Sequence, residues 1–160
     1  MQQVIRSTAP SPRLKRYAVR RLVESPYYPY NDTYRSIFIH IPKNAGSSVK
    51  TSLFGVDEEN HKELIRYEAH SPEKYRRLFK FCIVRNPWDR VLSAFTFLKS
   101  GGLHATDEAW ANRYLSDVTT FEAFVHRLED DTFSSAVLRQ THFAPQHVWI
   151  TDSRGTIGVD

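Results

Sequence analysis

Two short apolar runs constrain this chain most: Ile37-Phe38-Ile39 and Phe81-Cys82-Ile83-Val84. Each leads into a proline-containing turn and then into a segment with helical spacing. A strand that is stopped and followed by a helix, twice over, points to parallel strands joined by crossover helices. The first strand is predicted over Tyr34–Ile41, stopped by Pro42. The second is predicted over Leu78–Val84, whose near-continuous apolar run suits a buried parallel strand.

The flanking segments fit this frame. Val49 and Leu53, four apart, predict a core-facing helix after the first strand. After the second, Asn86 can cap a helix, Pro87 suits its first position and Asp89 can reach back to the cap. Trp88, Val91, Leu92 and Phe95 fall at helical spacing in it, and Gly101-Gly102 ends it. Ser71-Pro72-Glu73-Lys74 predicts a short helix to about Arg77. Thr119 or Thr120 caps another, with Phe121, Phe124, Val125 and Leu128 on one face, and Ser134–Leu138 adds a helical turn. Val148–Thr151 reads as a strand, Asp152–Gly155 as a turn, and Thr156–Asp160 as the start of a further strand. The expected fold class is α/β: a P-loop-like three-layer fold with a central, mostly parallel sheet flanked by helices.

At 160 residues and 41% hydrophobic, the chain suits one globular domain. That domain is expected over 34–160, after a basic, irregular arm at 1–33 holding Pro10, Pro12, Pro26 and Pro29. The formal net charge is +4. Much of the excess lies in Arg6, Arg13, Lys15, Arg16, Arg20 and Arg21, which precede the first acid, Glu24. An anion site must therefore be argued from placed residues rather than from net charge. Leu14, Tyr17, Ala18 and Leu22 could line a basic amphipathic helix, which leaves peripheral membrane contact open beside an exposed arm or a docking helix. Nucleic acid is not an expected partner, because no recognised module accompanies the arm. The single cysteine, Cys82, excludes an intrachain disulfide and reads as a buried small hydrophobe. No run of about 18 apolar residues is present, and the N-terminus lacks a secretory core. The expected compartment is cytoplasmic or unknown, since no signal or anchor is visible.

The loop Pro42-Lys43-Asn44-Ala45-Gly46-Ser47-Ser48 carries the first chemistry. A helix N-terminus presents unpaired N–H groups and partial positive charge, which suits an oxyanion. Gly46 permits close backbone approach, Ser47 and Ser48 add hydroxyl donors, and Lys43 adds a cation. Lysine opens the loop instead of adjoining its last hydroxyl, so this is not a Walker A motif. The same residues also read as a plain helix start with a solvated Lys43. Arg85 carries the second chemistry. It leaves the second strand, and ligands of parallel sheets bind beyond the carboxyl ends of strands. Its fork suits a phosphate, and Ser93 follows two helical turns later. A pairing of Arg85 with Asp89, and an ordinary surface role for Ser93, stand as the alternatives.

Together these residues carry a resemblance. Pro42–Ser48 with its strand resembles the 5'-phosphosulfate loop of sulfotransferases. Phe81–Phe95, with Val84-Arg85-Asn86-Pro87-Trp88-Asp89-Arg90 and Ser93, resembles their 3'-phosphate segment. The flavour is that of the carbohydrate branch, which includes heparan 2-O- and chondroitin-type enzymes and bacterial relatives. His142-Phe143-Ala144-Pro145-Gln146 is similar to a downstream segment of that branch.

The resemblance implies metal-independent, in-line transfer of a sulfuryl group from 3'-phosphoadenosine 5'-phosphosulfate to a hydroxyl of a carbohydrate or other acceptor. Lys43 and the loop through Ser48 would hold the 5'-phosphosulfate, and Arg85 and Ser93 the 3'-phosphate. No metal-ligand cluster is evident. His70 is the expected base, with His61 and His142 as rivals and Glu68 as a further alternative. Family chains usually continue past this one's end, so it is expected to be C-terminally truncated, which leaves turnover open. The alternatives are a non-catalytic relative that binds nucleotide or sulfated glycan, and a P-loop nucleotide kinase, against which the missing Walker lysine counts.

Overall fold

The computed structural model describes residues 24–56 and 61–160. The basic residues Arg6–Arg21 and the Leu14–Leu22 pattern lie outside them. The described residues form two compact units: 24–39, 61–82 and 147–160 in the first, 40–56 and 83–146 in the second.

The first unit holds helix α1 (Pro29–Thr33), strand β1 (Ser36–Ile39), helices α3 (Leu64–His70) and α4 (Pro72–Arg77), strand β2 (Phe79–Cys82) and helix α9 (His147–Ile150). β1 and β2 pair in parallel, Ser36 opposite Phe79 and Ile39 opposite Cys82. Both strands are shorter than expected. All of β1 is buried, but in β2 Phe79 is 56% exposed while Lys80 is buried. Among the described residues the sheet has only these two strands, so the second apolar run is not enclosed as a central strand would be. Lys80 is accommodated because its Nζ donates to the Leu78 carbonyl at 2.9 Å and pairs with Asp160 at 3.1 Å.

Residues 29–33, expected to be irregular, form α1. Pro29 starts it, the Tyr28 N–H donates to Asn31 Oδ1 at 2.7 Å, and buried Asn31 donates to the Ser36 carbonyl at 2.8 Å. α3 was not legible in the polar stretch 55–77, yet it buries Leu64, Ile65 and Tyr67. α4 begins as predicted: Ser71 Oγ accepts from the Lys74 N–H and Pro72 holds the first position. Val148–Thr151 is not a strand. Helix α9 replaces it because its Trp149 and Ile150 are buried together and Thr151 Oγ1 donates back to the His147 carbonyl. Residues 156–160 contribute one bridge, Thr151 to Ile157, and the Asp160 N–H donates to the Lys80 carbonyl.

The second unit is helical: α2 (Gly46–Phe54), α5 (Pro87–Lys99), α6 (Ala105–Tyr114), α7 (Phe121–Arg127) and α8 (Asp131–Arg139). Asn86 caps α5, Thr120 caps α7 and Asp130 caps α8, each accepting a backbone N–H of the first turn. α6 was not anticipated, and α8 is longer than the turn expected at Ser134–Leu138. The core gathers Phe95, Leu98, Leu115, Phe124, Phe133 and Phe143. Phe124 lies at its centre, stacked on Phe143 at 5.3 Å and tilted against Phe95 at 5.2 Å. Two expected faces are turned. Leu53 of α2 is exposed, and Gly46 and Lys50 are buried instead. Trp88 of α5 is 80% exposed, while Arg90, Ala94, Phe95 and Leu98 are buried. Helical spacing identifies the helix, but what packs against it selects the buried stripe.

Candidate functional site

The loop 42–48 lies wholly within the second unit, and its backbone is unusual. Lys43 and Ala45 both adopt positive φ, 67° and 59°, a conformation that costs non-glycine residues about 1–2 kcal/mol. Ala45 precedes α2, whose first turn presents the N–H groups of Gly46, Ser47 and Ser48. Gly46 itself has ordinary φ. It is glycine because a Cβ there would overlap the imidazole of His40. Close packing against His40 therefore requires a glycine here, beside the backbone approach to a ligand that the sequence suggested. Gly55, at φ 67°, closes α2 by donating to the Thr51 carbonyl at 3.1 Å.

Side chains from three segments hold the loop. Asn44 is buried, and its Nδ2 donates to the Ile83 carbonyl and to Gln146 Oε1, both at 2.7 Å. Gln146 Oε1 also accepts from the Arg85 N–H at 3.0 Å, and its Nε2 donates to the Arg85 carbonyl at 2.9 Å. Arg85 Nη1 donates to the Lys43 carbonyl at 3.4 Å. Arg90, buried on α5, donates from Nε to the Pro42 carbonyl at 2.9 Å. Burial holds its pKa below the usual arginine range. Two buried polar atoms here, Asn44 Oδ1 and Arg90 Nη2, have no hydrogen-bond partner among the described residues.

The Lys43 ammonium sits 3.8 Å above the centroid of the Phe97 ring, an attractive placement for a cation. The other edge of this arrangement is His142, packed T-shaped on Phe97 at 4.7 Å, with its Nε2 3.1 Å from Asp107 Oδ1. His142 is thus buried in a side-chain pair. Ser47 is half-buried and Ser48 exposed in the first turn of α2, and Ser93 is half-buried on α5.

The structure therefore joins Arg85 to Lys43 directly and to Asn44 through Gln146, and sets Ala45, Gly46, Ser47 and Ser48 in the adjoining turn. Arg90, Phe97 and Gln146 were missed as site residues. Arg90 and Gln146 lie inside two of the three segments that carried the resemblance, which was the available signal. Phe97 had none beyond its helix.

His70 belongs to the first unit, as the last residue of α3. It is half-buried, its ring centroid is 6.0 Å from that of Tyr27, and its Nδ1 is buried with no hydrogen-bond partner among the described residues. The Tyr27 hydroxyl donates to the Tyr67 carbonyl at 3.0 Å, and burial pushes both phenols well above their ordinary pKa. His61 packs edge-on to Trp149 at 6.0 Å. Glu68 accepts from the Ser153 N–H at 2.8 Å and from its hydroxyl at 2.9 Å. Cys82 is half-buried, and burial raises its thiol pKa, which makes it a poor nucleophile.

Among the described residues no group of three or more His, Cys, Asp or Glu is placed to hold a metal ion. No helix among them is long and apolar enough to cross a membrane.

A mixed helix–strand chain with a small parallel sheet thus carries a helix-start turn that holds Lys43 and is bonded by Arg85. The chain matches the model of the Sulfotransferase family over residues 26–154, and it belongs to that family. Its class is accordingly that of transferases acting by sulfuryl transfer to an acceptor. No curated protein and no solved structure matches it significantly.

Proposed function

We propose that this chain transfers the sulfuryl group of 3'-phosphoadenosine 5'-phosphosulfate to a carbohydrate hydroxyl, in a P-loop-like nucleotide site and without a metal. The observation that carries the reading is the tie between loop and arginine: Gln146 bonds both Asn44 and Arg85, and Arg85 bonds the Lys43 carbonyl. One lysine and one arginine, each from a different post-strand segment, are thereby tied together, which supports a role for both at one nucleotide. In this reading Lys43, Asn44, Ala45, Gly46, Ser47 and Ser48 take the 5'-phosphosulfate, and Arg85 and Ser93 take the 3'-phosphate. The unpartnered Arg90 Nη2 and Asn44 Oδ1 supply a donor and an acceptor beside the loop.

The reaction is an in-line displacement at sulfur, analogous to phosphoryl transfer. The acceptor oxygen bonds to sulfur as the bond from sulfur to the phosphate oxygen breaks. Adenosine 3',5'-bisphosphate leaves, and the acceptor proton passes to the base, His70. Lys43 and the α2 N–H groups stabilise the charge that grows on the leaving phosphate.

Calorimetric titration with adenosine 3',5'-bisphosphate in the presence of EDTA tests this. Micromolar binding that is lost in Lys43→Ala and in Arg85→Ala is expected. His70→Ala should retain the nucleotide and lose transfer to a desulfated oligosaccharide. Failure of the folded wild type to bind the nucleotide would overturn the reading.

A further inference from the structure

One face of α5 meets the phosphate loop. Arg90, Ser93 and Phe97 recur at helical spacing, so they lie along one side of the helix. Arg90 bonds the Pro42 carbonyl, and further along α5 the Phe97 ring lies under the Lys43 ammonium, 3.8 Å from centroid to Nζ. The lysine is fixed at both ends. Its backbone is held at φ 67° and its carbonyl accepts from Arg85, while its Nζ rests on the ring. The ring is fixed in turn. The Phe97 carbonyl accepts from the Gly102 N–H at 3.0 Å, and the His142 imidazole packs T-shaped against the ring at 4.7 Å. His142 Nε2 lies 3.1 Å from Asp107 Oδ1, and Asp107 Oδ2 accepts from the Leu103 N–H at 3.2 Å. A Cβ at Gly102 would fall 2.2 Å from that of Asp107. The glycine pair that ends α5 therefore also makes room for the carboxylate that orients His142. The transfer described above gives no part to Phe97, His142 or Asp107.

We infer that Phe97 is a positioning residue for sulfuryl transfer: its ring face presets the Lys43 ammonium, and the Asp107–His142 pair holds the ring in place. The inference rests on the transferase reading above. Lysine has a flexible four-carbon stem, whose rotamer freedom must be lost wherever its ammonium acts on a fixed point. An aromatic face removes that freedom beforehand and leaves the charge intact, because the ring attracts a cation through its quadrupole and carries no net charge. A carboxylate in the same place would fix the ammonium but cancel its charge. A cation already in place when negative charge grows on the leaving phosphate needs no reorganisation at the moment of reaction. An ionised Asp107 selects the His142 tautomer with its proton on Nε2, and that bond keeps the imidazole against Phe97. Phe97 thus acts through Lys43 and not on the donor itself.

The contact and the reaction are read separately, both on the full chain. NMR of isotope-labelled dimethyl-lysine reads the contact, with the Lys43 signal assigned by its absence from Lys43→Met. That signal should be shifted upfield by the ring, lose the shift in Phe97→Leu, keep it in Phe97→Tyr and lose part of it in His142→Gln. An unchanged shift in His142→Gln removes the Asp107–His142 pair from the arrangement. The reaction is read as kcat for transfer from 3'-phosphoadenosine 5'-phosphosulfate to a desulfated oligosaccharide. Phe97→Leu should lower kcat about tenfold, with affinity for adenosine 3',5'-bisphosphate within about twofold of wild type, and Phe97→Tyr should restore kcat. Added to Lys43→Met, Phe97→Leu should lower kcat no further, because the lysine it serves is gone. A loss that multiplies in the double variant, or a wild-type kcat in Phe97→Leu, overturns the positioning role and leaves the transferase reading standing. A ring-shifted Lys43 signal in a wild type that binds no nucleotide overturns the transferase reading, and the positioning role with it.

Discussion

Gln146 pairs with the backbone of Arg85 in both directions, accepting from its N–H at 3.0 Å and donating to its carbonyl at 2.9 Å. The same Oε1 accepts from Asn44. A single neutral side chain therefore sets the register between two segments that are remote in sequence.

Gln146→Leu leaves three polar partners unsatisfied. Each such bond contributes about 0.5–1.5 kcal/mol net, with the lower end applying where water has access. The variant should lose roughly 1–2 kcal/mol in urea denaturation and bind adenosine 3',5'-bisphosphate about tenfold more weakly. Gln146→Glu keeps the acceptor, loses the donor and adds a negative charge. It should bind the nucleotide more weakly still.

Gly46→Ala introduces a methyl group into the space of the His40 ring. Overpacking of this kind costs about 1–3 kcal/mol, and chemical denaturation should show it. Combined with His40→Ala, part of the loss should return. Strict additivity in that double-mutant cycle would show that the two residues do not share the space.

Lys43→Met keeps an unbranched side chain against Phe97 and removes the charge. The melting temperature should stay close to wild type, while kcat for sulfuryl transfer falls by about 10²–10³, the usual cost of losing one electrostatic contact to the transition state. A kcat near wild type would remove Lys43 from the reaction.

Asp152 has a fully buried carboxylate that accepts from Arg154 and from both the N–H and hydroxyl of Thr156. Burial pushes its pKa up, but these hydrogen bonds outweigh it and hold the pKa below the ordinary carboxylate value. The folded pKa thus lies below the unfolded one of about 3.9. The resulting stabilisation is complete above that value and is lost as pH falls through the folded pKa. Melting temperature should drop more steeply below about pH 4 in wild type than in Asp152→Asn. Parallel curves would exclude the group as a source of acid sensitivity.

Local chemistry accounts for what was legible in the sequence. Ser71, Asn86 and Thr120 cap helices as their types and neighbours suggested, because a cap depends on residues only two or three apart. The first strand core and the turn at Asp152–Gly155 were visible for the same reason, whereas Ile83 and Val84 of the second core lie beyond β2 and are exposed. Lys43, Asn44 and Arg85 stood out because each follows a strand, and parallel sheets bind ligands beyond the carboxyl ends of their strands.

Tertiary structure decided the rest. α9 took the place of a strand because burial of Trp149 and Ile150 outweighed the β preference of Val148 and Thr151, a preference that spans only about 1 kcal/mol. Lys50 and Arg90 are buried while Leu53 and Trp88 are not, since a helix's spacing does not say which neighbour it meets. Gln146 reaches Asn44 from 102 residues away. Sequence alone determined where the chain turns and where its charges are carried. Only the folded packing decided which of those groups are held together, because that depends on contacts between segments whose separation along the chain carries no local signal.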